Sequence, residues 1–495
     1  MSVTSAAATG SAGPAPTVDA ASAAPAASGR RAHGLGPLLL RLHFYAGVLV
    51  APFLMVAALT GLAYTISPQL DGVVYSTELR AEADGRSARP VSEQVAAAVA
   101  AHPEGTLSAV TPGEQGRTTK VVFNVPELGE KQHTVYVDPY TGQVKGQLTT
   151  WFGSTPLTTW LDDLHRNLHL GVVGRHYSEL AASWLWIIAL GGIALWWRRQ
   201  RGTRGRARRL LLPDLAAGKG VRRTRGWHAS TGIWLLVGLL ILSATGLTWS
   251  RYAGAHFGLA LDALDAGQPA LSTSLTGAAA PDSGGGHHGG GPAGAPAMDP
   301  SAIDQVLRVA RTDGLDGPVE IGVPADASSA WTVTQVDDVW PVRKDGVAVD
   351  PAAGTVVSRN DFADWPLLAK LSSLGIMAHM GVLFGPVNQI LLAALAVGLL
   401  CVIFWGYRMW WQRRPTRADR RAIVGAPPVA RGAWWGLPTW AIVVGLPTVF
   451  LLGWALPMFG ASLAGFLVVD LIVAAVRRRR RRDTAMPTSP APAGS

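Results

Sequence analysis

The chain has 495 residues, of which 48% are hydrophobic and only 15% charged, a balance that favours a membrane protein with sizeable parts outside the bilayer over a soluble enzyme. Its formal net charge of +10 is concentrated in short blocks beside apolar runs, which indicates membrane topology and argues against nucleic-acid binding. The single cysteine, Cys401, excludes a disulfide framework and a cysteine-based zinc or iron–sulfur site within one chain.

The N-terminal segment, residues 1–34, consists mostly of Ala, Ser, Gly and Pro and is predicted to be a disordered tail. It lacks the short apolar core and cleavage site of a secretory signal at the expected place. The first apolar run, 44–66, is therefore predicted to stay in the protein as a membrane span, which with its flank covers residues 35–66.

Further apolar runs of about 20 residues, the length that crosses a bilayer, predict single spans at 178–197, 228–250 and 374–407. The last run, 434–476, is too long for one span and is interrupted at Pro457-Met458-Phe459-Gly460. It is interpreted as a hairpin of two spans, which gives six in total. A re-entrant pair would have a similar pattern and stays open as an alternative.

Positive charge predicts the orientation of these spans in a cell (inner or cytoplasmic) membrane. The segments 198–227 and 408–433 and the tail 477–495 are rich in Arg, so they are expected to be cytoplasmic. The segments 67–177 and 251–373 hold more acids than bases and are expected outside. The spans then alternate in direction, and both termini lie in the cytoplasm.

Each outer segment carries the pattern of a small α+β unit. Asp138-Pro139 and Asp350-Pro351 are each followed by a glycine between β-branched residues, which predicts a turn joining two strands. Helices are predicted before them, at 91–101 and at 300–312 with Asp299 as N-cap. The second unit also contains a glycine-rich insert, 284–294, whose His287-His288 pair could hold a metal weakly but is interpreted as part of a flexible linker.

The membrane segments repeat within the chain. His43 and His228 each precede a glycine by four residues and a Thr-Gly pair, Thr60-Gly61 or Thr245-Gly246, by 17 residues. At 1.5 Å per residue this offset spans about 25 Å, nearly a bilayer core, so both histidines are predicted at the cytoplasmic ends of spans one and three.

A second histidine pair follows the same repeat. His165 and His379 each precede a glycine, Gly171 or Gly385, by six residues, and each glycine precedes a Trp-Trp pair by 25 residues. Both histidines are therefore predicted near the outer ends of spans two and four.

Together these features resemble the PepSY-associated transmembrane family, sometimes labelled iron-regulated membrane proteins. The resemblance covers roughly residues 35 to 476 and rests on the Thr-Gly marks, the Asp-Pro hairpins and four histidine motifs: Leu42-His43, Leu164-His165-Arg166, Trp227-His228 and the run from His379 to Gly385. It implies a polytopic α-helical membrane protein of about six spans, built from a duplicated two-helix unit, with two small extracytoplasmic α+β PepSY-like domains. Some members are similar to ferric-siderophore reductases that carry haem in the membrane, whereas other PepSY proteins are thought to restrain peptidases.

Two-fold pairing of the repeats would bring each pair of histidines face to face across a bundle, and six-coordinate haem iron needs two such axial imidazoles. The main hypothesis is therefore one or two b-type haems, held by His43 with His228 and by His165 with His379. Gly47 and Gly232, one turn from the inner histidines, would leave room for the macrocycle or serve as helix contacts. His169 could replace His165 as a ligand, and His176 is a weaker candidate.

This hypothesis implies electron transfer to an extracytoplasmic acceptor such as ferric-siderophore iron. No nucleotide-binding motif is present, so a membrane quinol or a separate cytoplasmic reductase must be the donor. Zinc proteolysis is disfavoured, because Arg166 stands where the HExxH motif needs its glutamate. The alternatives that stay open are interfacial histidines without a cofactor, a non-enzymatic PepSY protein that regulates peptidases or binds envelope partners, and a transporter accessory that holds siderophore.

Overall fold

The computed structural model describes residues 35–201, 206–275, 301–413 and 437–483. The predicted tail 1–34, the His287-His288 insert, Asp299 and most of the basic segment 408–433 lie outside these ranges. The helices of the first repeat are α1 (Leu35–Leu49), α2 (Ala51–Tyr64), α3 (Ser67–Val74), α4 (Ser76–Leu79), α5 (Val91–Ala101), α6 (Pro156–Asn167) and α7 (Gly171–Gln200). The remaining helices are α8 (Arg206–Leu211), α9 (Val221–Thr248), α10 (Ala253–Ala263), α11 (Ala302–Thr312), α12 (Leu367–Met380), α13 (Pro386–Gln412), α14 (Thr439–Ala455) and α15 (Pro457–Asp483).

The strands of both outer segments form one antiparallel sheet of eight strands. They are β1 (Thr106–Thr111), β2 (Thr119–Asn124), β3 (Gln132–Val137), β4 (Val144–Thr150), β5 (Val319–Gly322), β6 (Trp331–Gln335), β7 (Gly346–Asp350) and β8 (Thr355–Asn360). The strand order is β4-β3-β2-β1-β5-β6-β7-β8, so two four-stranded meanders meet edge to edge where Val110 pairs with Ile321. The two α+β units predicted separately thus share one sheet.

One face of this sheet packs against α5 and α11 to form a single core. Val110, Val121 and Ile321 are fully buried there together with Ile303 of α11. Asp304 of α11 also caps the N-terminus of α5, since its carboxylate accepts the backbone N–H of Val91 at 2.8 Å. The two units are therefore joined by hydrogen bonds, core packing and a helix cap.

The two Asp-Pro turns have the same hydrogen bonds, as their similar sequences predict. Asp138 Oδ1 accepts the backbone N–H of Tyr140 at 2.9 Å, and Asp350 Oδ1 accepts that of Ala352 at 2.8 Å. Gly142 and Gly354 follow with positive φ angles of 76° and 69°, which glycine adopts without strain. The predicted hairpins are confirmed.

Three helices in the described part of the chain are long and apolar enough to cross a membrane: α7, α9 and α13. The bent pair α1–α2 makes a fourth if it is one span, while α14 and the apolar part of α15 are shorter. Most of the predicted span 44–66 lies in this pair, whose two helices meet at a bend of 53°. The long helices of spans two and four, α7 and α13, are each preceded by a short non-helical segment. His165 and His379 therefore lie on the helices before these segments, α6 and α12.

Pro52 explains the bend in the first span. Proline has no N–H, so the carbonyl of Val48, four residues earlier, loses its helical partner. The hydroxyl of Tyr407 on α13 donates to that carbonyl at 3.0 Å. The equivalent position of the second repeat is Val237, and α9 continues without a break.

Helix α15 packs on the first repeat. Asp470 of α15 forms an ion pair with the buried Arg41 of α1 at 2.6 Å. Trp184 of α7 donates its indole N–H to Ser462 at 2.8 Å and packs edge-on against Phe459. The helical structure is interrupted at Leu456, between α14 and α15. This position directly precedes the Pro457-Met458-Phe459-Gly460 run, at which the sequence predicted an interruption.

Candidate functional site

The inner histidines form a facing pair. His43 on α1 and His228 on α9 have ring centroids 6.3 Å apart, with the ring planes at 79°. The Nδ1 of His43 lies 3.0 Å from the carbonyl oxygen of Ile188 on α7. The Nδ1 of His228 lies 2.9 Å from the carbonyl oxygen of Val402 on α13. A carbonyl only accepts, so both Nδ1 atoms carry the proton and Nε2 is the unprotonated nitrogen of each neutral ring.

The outer histidines form a second pair with nearly the same spacing. His165 on α6 and His379 on α12 have ring centroids 6.4 Å apart. Their Nδ1 atoms lie 2.9 Å from Thr60 Oγ1 and 2.8 Å from Thr245 Oγ1. Tyr177 on α7 also donates its hydroxyl to the carbonyl of His165, which ties α6 to the following helix.

Each threonine fixes the tautomer of its histidine. Thr60 Oγ1 lies 2.8 Å from the carbonyl of Val56, and Thr245 Oγ1 lies 2.8 Å from that of Ile241. A hydroxyl has a single proton, which is used on the carbonyl, so the oxygen accepts from Nδ1–H of the histidine. Nε2 is therefore again the nitrogen that is free to bind a metal.

Glycines let the histidine rings approach neighbouring helices. A Cβ placed on Gly61 would lie 3.1 Å from Cε1 of His165, and one on Gly246 would lie 3.3 Å from Cε1 of His379. A Cβ on Gly192 would lie 3.0 Å from Cε1 of His43. These contacts are tighter than a methyl group normally makes. At Gly406, the repeat equivalent of Gly192, the distance to His228 Cε1 is an ordinary 3.7 Å.

The sequence reasoning marked the Thr-Gly pairs only as repeat landmarks and missed their contacts with His165 and His379. It also missed Gly192 and Gly406, although each lies 21 residues after Gly171 or Gly385. The internal repeat is the signal that marks these glycines, because each stands at the same offset in both halves of the chain.

The spacing of both pairs fits two axial imidazoles on one iron. Two metal–imidazole bonds of about 2 Å each, added to about 1 Å from each ligating nitrogen to its ring centre, separate the centroids by about 6 Å. A Cβ placed on Gly47 or Gly232 would meet nothing within 4 Å, so there is open space one turn from each inner histidine. In the described ranges no three His, Cys, Asp or Glu side chains converge as a metal site. A haem needs only two protein ligands, because the macrocycle supplies the other four.

His169 lies outside the outer pair. Helix α6 ends at Asn167, and both Leu168 and His169 have positive φ angles, so His169 does not lie one helical turn after His165. His169 is exposed, and its ring packs against Trp160 with centroids 4.9 Å apart and the ring planes tilted by 35°. The same helix end removes the two-histidine helical face that a zinc protease would need.

His176 does not join the pair either. Its Nε2 lies 3.1 Å from the hydroxyl of Tyr252, and its Nδ1 lies 3.1 Å from the carbonyl of Val173. Both ring nitrogens are thus engaged at the start of α7.

Charged side chains cluster in the C-terminal half of α6. Arg166 contacts Asp162 at 3.3 Å and Asp163 at 2.9 Å, and its guanidinium lies over the ring of Trp151 at 4.5 Å. Burial raises the pKa of Asp162, and the nearby Arg166 opposes that rise. This ion-pair cluster occupies the position in which a zinc protease would carry its general base.

Comparison with known proteins gives one family. A family model described as the PepSY-associated TM region matches residues 40–413, the stretch that contains all four paired histidines and the eight-stranded sheet. No curated protein matches the chain.

Proposed function

Because the chain belongs to the PepSY-associated TM family and is a membrane protein with two facing histidine pairs, we propose that it is a haem-carrying oxidoreductase. It would pass electrons across the cell membrane to an extracytoplasmic acceptor, iron(III) in a siderophore or similar chelate, in iron uptake. The observation that carries this proposal is the pairing of His43 with His228 at 6.3 Å and of His165 with His379 at 6.4 Å.

The chain's own residues would bind and orient the cofactor. Backbone carbonyls in the inner pair and threonine hydroxyls in the outer pair hold each Nδ1–H, which directs Nε2 to the metal and raises its basicity. Haem b, when bound, supplies one-electron redox chemistry. Reduction of chelated Fe(III) to Fe(II) takes one electron, which a membrane quinol or a separate cytoplasmic reductase must deliver.

The proposed topology has both termini in the cytoplasm and six spans, with α14 and α15 as the last two. This topology rests on three Arg-rich segments, one after α7, one after α13 and one at the C-terminal end of α15. Lys and Arg are enriched on the cytoplasmic side of membrane proteins. The sheet would then lie outside, next to the outer histidine pair.

The visible spectrum of the full-length protein from haem-replete cells tests the proposal. We expect a Soret band, a reducible α-band and two haems per chain. His43→Ala or His228→Ala should remove one haem, and His165→Ala or His379→Ala the other, because each pair would lose one of the two imidazoles that would hold its haem. His169→Ala is the matched control and should keep both haems, since the His169 ring packs against Trp160 and belongs to neither histidine pair.

A colourless wild-type protein would overturn the proposal and favour a PepSY protein that regulates or binds partners without redox chemistry. Unchanged haem stoichiometry in both inner variants would refute the ligand assignment. Loss of haem in His169→Ala, together with retention of haem in His165→Ala, would assign the ligand role to His169 in place of His165.

A further inference from the structure

A half-buried arginine lies beside the inner histidine pair, on the side away from the sheet. Arg225 stands three residues before His228 in α9, so the two side chains share one face of that helix. Gly232, which has open space beside it, stands four residues after His228 on the same face. Along this face, open space, the histidine and a cation therefore follow one another at intervals of about one turn.

Two further arginines come from the other helices that pack beside the inner histidine pair. Arg199 stands seven residues after Gly192 in α7, and Arg413, directly after α13, stands seven residues after Gly406. Residues seven apart lie two turns apart on one helix face. These two glycines are the ones that lie next to the inner histidine rings. Both arginines thus lie on the helix faces that line the inner pair, beyond its end.

These three residues, Arg199, Arg225 and Arg413, are called the inner arginine cluster. Arg199 and Arg413 both lie close enough to Arg225 to repel its charge. Arg222 also acts on that charge, but this exposed residue is paired with Asp214 at 3.1 Å. Within the described ranges, no carboxylate acts on Arg225, and no side chain of the cluster forms an ion pair or hydrogen bond. Like charges around a half-buried cation are costly, so the cluster indicates a ligand with anionic oxygens.

The arginines at the outer histidine pair differ in this respect. Arg166 on α6 contacts the carboxylates of Asp162 and Asp163. Arg175 on α7 donates to the carbonyl of Trp249 at 2.7 Å. These two cations already have acceptors within the chain, whereas those of the inner cluster do not.

We propose that the inner arginine cluster binds the propionate carboxylates of a haem held by His43 and His228. The assignment rests on the proposed function for the cofactor, and on the helix faces and the charges for the location. Haem b carries its carboxylates on one edge of the macrocycle, and guanidinium groups bind carboxylates through paired N–H donors. Open space on one side of the histidines and cations on the other match the apolar and anionic edges of such a molecule.

Binding of haem b and of its dimethyl ester to the full-length apoprotein tests this assignment, because the ester has no free carboxylates. A His165→Ala,His379→Ala background restricts binding to the inner pair, and absorbance titration gives the dissociation constants. Arg225→Gln should weaken binding of haem b about tenfold or more, since a charge-assisted hydrogen bond is lost. Binding of the dimethyl ester should stay unchanged.

Further variants show whether the position and the charge both matter. Arg199→Gln and Arg413→Gln should each weaken binding of haem b alone, and to a similar extent, because the two residues are equivalent in the repeat. Arg225→Lys should retain part of the preference for haem b over the ester. Arg208→Gln, which removes an exposed arginine of α8 at the same end of the bundle, should leave both affinities unchanged. The unfolding temperature of each apoprotein shows whether it is folded.

The outcomes separate this inference from the proposed function. Equal weakening of haem b and ester binding in a folded Arg225→Gln overturns the propionate assignment and leaves the histidine ligands in place. Unchanged affinity of Arg225→Gln for haem b also overturns it; if phospholipid that co-purifies with the protein is lost at the same time, the cluster binds lipid headgroups instead. A wild type that takes up no haem overturns both proposals. The expected discrimination in a protein that reduces no iron(III) chelate supports the cluster and refutes the reductase.

Discussion

Thr60 and Thr245 each use one hydroxyl for two bonds, one to their own helix and one to a histidine of another helix. This arrangement makes the outer histidines stronger donors than free imidazoles, because a hydrogen bond accepted from Nδ1–H raises the basicity of Nε2. The inner histidines obtain the same support from backbone carbonyls. Side-chain substitution can therefore remove it only from the outer pair.

Replacement of Thr60 by valine tests this support at the residue level. Thr60→Val keeps the shape of the side chain but removes the acceptor for Nδ1–H of His165. A weaker donor stabilises the oxidised iron less, so the midpoint potential of the outer haem should rise, and haem affinity should fall about 10-fold or more. Redox titration and haem transfer to an apoprotein acceptor measure the two effects.

Thr65→Val is the matched control for this prediction. Thr65 also bonds a carbonyl of its own helix, Leu62 at 2.7 Å, but contacts no histidine. If Thr60→Val and Thr65→Val give the same midpoint potential and the same affinity for the outer haem, the Thr60 hydroxyl does not support His165 as a ligand.

At the scale of elements, local patterns predicted a large share of the structure. The helix at Val91–Ala101 and both Asp-Pro hairpins are confirmed, because their signals lie within a few neighbouring residues. The bend at Pro52 was missed, although proline in an apolar run is a local signal. The end of α6 at Asn167 was missed because Leu168 adopts a left-handed conformation that no glycine or proline marks.

The join between the two meanders could not be predicted from local patterns. Strands β1 and β5 are separated by more than 200 residues, and their alternating sequences are compatible with an edge strand or a central one. The pairing of the histidines, in contrast, was predictable, since the repeat places equivalent residues about one axis. The strand order follows the same symmetry, since each repeat contributes its first strand, β1 or β5, to the join.

Asp304 offers a test of the coupling between the two units. Asp304→Ala leaves the N-terminal N–H groups of α5 without their acceptor, which costs about 1–2 kcal/mol. Amide hydrogen exchange in Val91–Ala101 should therefore become roughly 5–30-fold faster in the full-length protein. Mass spectrometry of peptides from this helix measures the change.

Asp326→Ala serves as the control for this experiment. Asp326 is an exposed residue of the β5–β6 loop, and among the described residues its carboxylate accepts hydrogen bonds from its own turn, including the N–H of Ser328 at 2.9 Å. Exchange in α5 should stay as in wild type. Equal acceleration in both variants would mean that the cap does not couple the units.

At the scale of the whole molecule, two repeats share one helical bundle and one sheet. Each repeat contributes one histidine to each pair, so neither repeat alone contains a complete pair. In the proposed reductase, the direction of electron flow would depend on the side of the membrane on which the sheet lies, because the sheet is connected to the helices of His165 and His379 and the Arg-rich segments lie at the other ends of the long helices.

Cysteine labelling decides this orientation. Cys401 is the only cysteine of the chain, so Cys401→Ser gives a background without thiols. On it, Ser328→Cys places a thiol at an exposed site of the sheet, and Lys219→Cys places one at an exposed site between α8 and α9. In sealed right-side-out vesicles a membrane-impermeant maleimide should label the first variant and reach the second only after detergent is added. The opposite pattern would place the sheet in the cytoplasm, and the paired histidines could then not deliver electrons to an acceptor outside the cell through this face.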